Sequence, residues 1–204
     1  MFKPNFIEYL VAFIGIIALL ATAYMKISTG KGLFVLNPCH ISILGVIVLC
    51  IAPSTRKMRK IHSMWTSWLF GATLAVLIPH LNGIGEFEKI LYFVEHLIIV
   101  PVGPIILYRR YGALRPTLTN QFACFCSLAL YQTAVLFPLS YLTKVNLNFA
   151  LCHSPGDPLY PVFGKYYFFP AMFYLNFASY LARWFYYFLV YPLRYVWKQW
   201  RDSE

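Results

Sequence analysis

Residues 6–24 read FIEYLVAFIGIIALLATAY, in which one carboxylate, Glu8, interrupts apolar, aromatic and small side chains. At 1.5 Å per residue, a helix of that length matches the ~30 Å hydrocarbon core of a bilayer. The run is longer than the apolar stretch of a secretory signal, and no small-residue cleavage site follows it. It is therefore expected to stay as a spanning helix. Five further runs repeat the pattern: Leu33–Ala52, Met64–Leu81, Ile90–Tyr108, Phe122–Leu142 and Phe168–Tyr191. Each is about 18 to 24 residues, close to the ~20 that a crossing needs. Breakers separate the first runs: Ser28, Thr29 and Gly30, then Pro53 and Ser54, then Asn82, Gly83 and Gly85.

Composition agrees. Of 204 residues, 60% are hydrophobic and only 12% are charged, against roughly 25% charged in a soluble domain. The net charge of +10 does not indicate nucleic acid, because the basic residues sit in short clusters between apolar runs and form no continuous face. The expected fold is all-α: a polytopic integral membrane protein of six transmembrane helices, in one domain over residues 1–204. No obligate protein partner is implied.

The basic clusters set an orientation. Arg56, Lys57, Arg59 and Lys60, then Arg109, Arg110 and Arg115, then Arg194, Lys198 and Arg201 alternate with linkers that hold only isolated lysines. By the positive-inside rule the first set is cytoplasmic, which puts both termini there and the 143–166 loop on the opposite side. Past Pro192, residues 192–204 read as an interfacial cytoplasmic tail anchored by Tyr195, Trp197 and Trp200. Arg183 lies inside the last run; it either snorkels toward the cytoplasm or pairs with a lipid phosphate.

Polar groups at membrane depth need a reason. Asn37 and Pro38 read as a helix cap and first helical residue, which places Cys39 in a first turn beside unpaired N–H groups and the positive end of the dipole. A thiol there is favoured as a nucleophile. If the helix instead begins at Leu33, Pro38 kinks it. His40 is adjacent, but neighbouring helical residues do not face each other, so the base is sought on another helix. His96, about six residues past Ile90, lies at the same depth as Cys39, about 9 Å below the non-cytoplasmic interface. That matched depth is what a Cys–His pair requires. Glu95 projects a quarter turn from His96 and need not touch it.

The 143–166 loop, on the same side, offers Asn146 and Asn148 as amide donors for an oxyanion, with Cys152, His153 and Asp157 as further polar groups. Asn37, His40 and Asn82 are additional substrate-positioning candidates, and His80 and His153 are second-base candidates. Each has a plainer reading: a buried structural thiol, a histidine bonded between helices, an ordinary turn-rich loop. A rival reading, open if that compartment is oxidising, joins Cys39 and Cys152 in a disulfide. Cys50 reads as a packed or lipidated thiol. Cys124 and Cys126 form a C-x-C with no second ligand pair, so no metal site is expected. No phosphate loop, dinucleotide fingerprint or zinc-protease motif is present, and no cofactor is expected.

Three blocks taken together resemble the transmembrane protein 164 family of membrane acyltransferases: Leu36 to His40; Glu86 and Glu88 followed by His96 and Pro101; and Val145 to Asn148 with Cys152, Asp157, Pro158 and Tyr160. The family is similar in fold to the androgen-induced serpentine hydrolases of fatty-acid esters, which use a Thr nucleophile and a His on separate helices. The resemblance implies an endoplasmic-reticulum enzyme moving polyunsaturated acyl chains, arachidonoyl especially, onto ether lysophosphatidylethanolamine. The donor would be another phospholipid, without coenzyme A, and the family's nucleophile falls on Cys39. Partners would be phospholipids and lysophospholipids. The rival readings are an intramembrane lipid-ester hydrolase with the same Cys/His pair, and a non-catalytic lipid transporter or scramblase.

Overall fold

The computed structural model describes residues 3–79, 81, 84–112, 116–152, 160–166, 168–193 and 195. Among the described residues six helices carry the fold: α1 Phe6–Ser28, α2 Pro38–Ile51, α3 Arg56–Leu77, α4 Glu86–Tyr111, α5 Leu118–Thr143 and α6 Phe168–Val190. Short 3-10 segments and one helical turn at Tyr160–Phe163 fill the connections, and no strand occurs among the described residues.

Local chemistry explains the helix ends. Asn5 and Glu8 form a reciprocal capping box, with Oδ1 of Asn5 accepting from the Glu8 N–H at 2.9 Å and Oε2 of Glu8 from the Asn5 N–H at 2.6 Å. Thr55 and Thr117 cap α3 and α5 by accepting from Met58 and Asn120. α2 stops before Pro53. Inside α4 and α5 a wider π turn, Ile98–Val102 and Gln132–Leu136, contains Pro101 or immediately precedes the turn holding Pro138. A proline has no N–H for the helical ladder, and the wide turn absorbs that without ending the helix.

The outside of the bundle is apolar, and its largely apolar core also holds charged and polar groups. On α1, Ala12, Gly15, Ala18 and Thr22 are buried while Phe6, Phe13, Ile17 and Leu20 are exposed. A methyl added at Gly15 would lie 3.2 Å from Ile47 of α2, so small residues let the two helices approach closely. The interior holds Glu8, Glu95, Arg110, Arg183, His40, His62 and His96. α1, α4 and α5 are each long and apolar enough to cross a membrane, and α2 is a shorter apolar helix.

The structure refines the expected runs. The second is two elements, a 3-10 segment at Gly32–Leu36 and then α2. The third begins eight residues earlier, at Arg56 rather than Met64. α3 sits centrally, against α2, α4, α5 and α6, so its Ser, Thr and His side chains are covered by neighbours. Its Trp65 fills the junction with α2 and α4: Nε1 donates to the Ser42 carbonyl at 3.0 Å, and added methyls at Gly45 and Gly103 would sit 2.8 and 3.2 Å from the ring.

Two arginines are not where the sequence reading put them. Arg110, read as a topology signal, is buried: Nε donates to Oε1 of Glu8 at 2.6 Å, and the guanidinium also donates to the Leu49, Cys50 and Ala52 carbonyls. It thereby caps the end of α2 and ties it to α1 and α4. Arg183 does not snorkel. It is buried and donates to Gln121 Oε1 at 3.0 Å and Ser63 Oγ at 3.3 Å, because α3 and α5 cover it. Cys50 is a packed thiol in the core of this same end. Of the expected tail anchors, Tyr195 is exposed, and Trp197 and Trp200 lie outside the described residues.

Candidate active site

α2 begins at Pro38, with Asn37 in extended conformation before it (φ −60°, ψ 146°). Proline suits that position because its missing N–H would have had no helical partner. The N–H groups of His40 and Ile41 turn back to the Asn37 carbonyl at 3.0 and 3.4 Å. The N–H of Cys39 has no partner among the described residues, which leaves it as the first-turn donor free for an incoming oxygen. Asn37 does not cap with its side chain, and its Oδ1 is buried with no donor among the described residues.

α4 lies against α2 and brings His96 to the thiol. Cys39 is half-buried, and the imidazoles of His96 and His40 are its nearest titratable neighbours. Nδ1 of His96 is 2.7 Å from the Tyr92 carbonyl. A carbonyl only accepts, so Nδ1 carries the proton and Nε2 keeps a lone pair for the thiol. The Tyr92 ring packs 4.1 Å from the imidazole, and its hydroxyl donates to the Ala75 carbonyl of α3 at 2.6 Å, which fixes the ring's place. Nδ1 of His40 is 2.9 Å from Oε2 of Glu95, with both side chains buried. Oε1 of Glu95 has no donor among the described residues.

The loop after α5 packs on the segment that leads into α2. Leu136, Leu147 and Ala150 pack with Leu33, Phe34 and Leu36, and the Tyr131 hydroxyl donates to the Leu36 carbonyl at 2.5 Å. Asn146 and Asn148 build this loop and do not point their amides at the thiol site. Oδ1 of Asn146 accepts from the N–H groups of Leu151 and Cys152, and its Nδ2 donates to the Cys152 carbonyl. Nδ2 of Asn148 donates to Gln132 at 3.2 Å, and its backbone is left-handed (φ 46°), a conformation Asn tolerates well. All five cysteines are free, so Cys39 and Cys152 form no disulfide. His80, Asn82, His153 and Asp157 lie outside the described residues.

Compared with known families, residues 2–198 match the TMEM164 family. The chain belongs to the TMEM164 family. The match includes every helix named above and both Cys39 and His96. No solved structure matches this chain.

Sequence reasoning about this TMEM164 chain missed the pairing of Glu95 with His40. The rule that adjacent helical residues diverge set His40 aside, yet helical side chains lean back toward the N-terminus. An imidazole at the start of α2 therefore reaches over the first turn to the thiol. The signal that was present is Glu95 itself, since a carboxylate in an apolar helix at membrane depth needs a partner. Tyr92 carries a second signal, standing one turn before His96 with its carbonyl placed for that ring.

Proposed function

We propose that the chain is a membrane phospholipid acyltransferase, a coenzyme-A-independent transacylase working through an acyl-cysteine at Cys39. It moves polyunsaturated acyl chains such as arachidonoyl onto lysophosphatidylethanolamine, ether forms included. It crosses the endoplasmic-reticulum membrane six times, with both termini in the cytoplasm. The observation that carries the reading is a thiol at a helix start with two imidazoles beside it, whose Nδ1 atoms are each already engaged. That leaves an Nε2 on each ring for proton transfer, which is what a thiol nucleophile needs.

In the first half-reaction Nε2 of His96 takes the thiol proton, and Sγ attacks the sn-2 ester carbonyl of a donor phospholipid. The tetrahedral oxyanion sits on the Cys39 N–H and the positive end of α2. The bond from carbonyl carbon to glycerol oxygen breaks, and His96 returns the proton to that oxygen, releasing a lysolipid. In the second half-reaction His96 deprotonates the hydroxyl of an acceptor lysolipid. That oxygen attacks the thioester, and the thiolate leaves and regains its proton. His40, held by Glu95, stands beside the thiolate and steadies its charge. Apolar packing of the loop after α5 on the segment leading into α2 keeps water from competing with the acceptor.

Mass spectrometry of the purified protein after incubation with a donor phospholipid tests this. The peptide bearing Cys39 should gain the mass of one acyl chain and lose it when lysophosphatidylethanolamine is added. Acyl transfer that proceeds with Cys39 never modified would rule the mechanism out. A thioester that water discharges as fast as lysolipid would move the reading to a hydrolase.

A further inference from the structure

The end of the bundle away from the thiol carries a different feature. α2 runs from Pro38 to Ile51, so about 20 Å of helix separates the two ends. α3 begins just beyond it, and its first turns present Arg56, Lys57, Arg59 and Lys60, all exposed. Met58 and Ile61 on the other face of these turns pack against the core, which holds the basic face in a fixed direction.

Three of the four cations converge. Arg56, Lys57 and Lys60 stand at i, i+1 and i+4, on one side of the helix, and together line an open cleft of ≈ 480 Å³. A water takes ~30 Å³ in the liquid, so the cleft has room for a whole headgroup. Like charges at i, i+3 and i, i+4 repel, and no carboxylate among the described residues is left to offset them. Glu8 is held by Arg110, Glu86 by Lys89, Glu88 by Lys26 and Glu95 by His40. The positive end of the α3 dipole adds to the same field. One turn past Lys60, on the same stripe, comes the exposed Met64. A solute anion would use only the cations. A lipid uses both halves of this surface, headgroup on the basic turns and acyl chain on the apolar side chain that follows.

We infer that this cleft seats the headgroup of an anionic phospholipid from the surrounding leaflet, its phosphate oxygens on Arg56, Lys57 and Lys60 and an acyl chain along Met64. Arg59 lies outside the cleft and contributes only to the general field. The inference needs neither Cys39 nor the acyl-transfer reading.

The full chain is reconstituted in phosphatidylcholine bilayers holding a trace of photoreactive phosphatidic acid or, separately, of photoreactive phosphatidylcholine. Mass spectrometry then maps the labelled peptides. Phosphatidic acid should label the start of α3 at least tenfold more than phosphatidylcholine, and unlabelled phosphatidic acid should displace it. Inorganic phosphate at matched ionic strength should not. Each cation near such a surface is worth about fivefold in binding, so Lys60→Gln should cut labelling there by about that factor. Arg59→Gln removes the same charge one residue away and should cut it by less than about twofold. Three of the four cations remain in either variant, which preserves the topology signal, and exposed substitutions of this kind leave folding intact. Equal labelling by the two lipids, or equal displacement by inorganic phosphate, overturns the inference. So does an equal fall in Lys60→Gln and Arg59→Gln, which would leave a diffuse field and no seat. Labelling that emerges only after Asp202→Asn and Glu204→Gln would mean that the chain's own carboxylates fill the cleft, which also overturns it.

Discussion

Each end of the bundle buries a glutamate against a nitrogen-bearing partner, and the two ends treat their hydrogen bonds differently. At the basic end Glu8 uses one oxygen on Arg110 and the other on the Asn5 N–H, while the Arg110 guanidinium also takes up the Leu49, Cys50 and Ala52 carbonyls. At the thiol end Oε1 of Glu95 and Oδ1 of Asn37 are buried and unmet among the described residues. An unmet buried polar group costs about 1–3 kcal/mol, so evolution keeps one only where something else is gained. The saturated Glu8–Arg110 clasp is scaffold. On the reading proposed above, a ligand's atoms complete the network around Glu95 and Asn37, and substitutions at the two glutamate pairs should differ in kind.

The largest effect is expected at Cys39. Cys39→Ser exchanges a single atom for one that ionises far less readily, so acyl transfer should fall on the order of 10⁴-fold or more, as loss of a nucleophile does elsewhere. Thermal unfolding should barely change. Cys152, exposed and unbonded to Cys39, should tolerate serine with neither activity nor stability altered. Parallel loss of stability in both variants would revive the disulfide, and full transfer by Cys39→Ser would end the thiol mechanism.

Next comes the scaffold. Arg110→Met leaves the Glu8 carboxylate buried without its cation and should cost about 3–5 kcal/mol in unfolding measurements. Adding Glu8→Leu removes the orphaned charge and should recover much of that loss. Acyl transfer per folded molecule should stay near wild type in the double variant. A double variant as unstable as the single would show that the α2 carbonyls, rather than the charge pair, carry the clasp.

How much of this was legible turns on which forces act along the chain and which act between helices. The apolar runs and the proline-capped start of α2 follow from length and capping chemistry, both local or additive properties. Arg110 and Arg183 were misplaced because charge in a loop or at a helix end says nothing about whether a neighbour covers it. Glu8 supplied that cover for Arg110 from 102 positions away. α3 was trimmed to Met64 because its first turns are basic, yet its central position makes their polar side chains admissible. The loop asparagines were assigned to the site because a turn-rich segment shows its donors but not which of its own carbonyls and N–H groups will use them.

A smaller effect should separate the two imidazoles. Glu95→Gln keeps the shape and an oxygen for the His40 Nδ1–H but removes the charge, so acylation of Cys39 should slow by about tenfold, equivalent to roughly 1.4 kcal/mol of barrier. The readout is the rate of acyl-Cys39 formation at saturating donor, because a positioning role slows that step without weakening donor binding. His96→Gln should slow it by about 10²–10⁴-fold, the usual range for a general base. The reverse ranking would move the base to His40.

The smallest change tests whether the loop belongs to the scaffold or to the site. Asn148 is left-handed at φ 46° and exchanges hydrogen bonds with Gln132, through Nδ2 at 3.2 Å and its carbonyl at 3.4 Å. Asn148→Ala deletes the side-chain bond and the polar group that makes a left-handed backbone tolerable for Asn, so unfolding should cost about 1–2 kcal/mol. Asn148→Gly also lacks the amide but adopts that backbone freely, and should recover part of the loss. If the loop is only scaffold, acylation per folded molecule should stay within a few-fold of wild type in both variants. An amide that held the oxyanion would behave otherwise: glycine and alanine would each lose about 10²–10³ in rate, and the backbone freedom glycine restores would bring none of it back. The ratio of the two variants therefore reads the role of Asn148 directly, because strain distinguishes alanine from glycine and a missing donor does not.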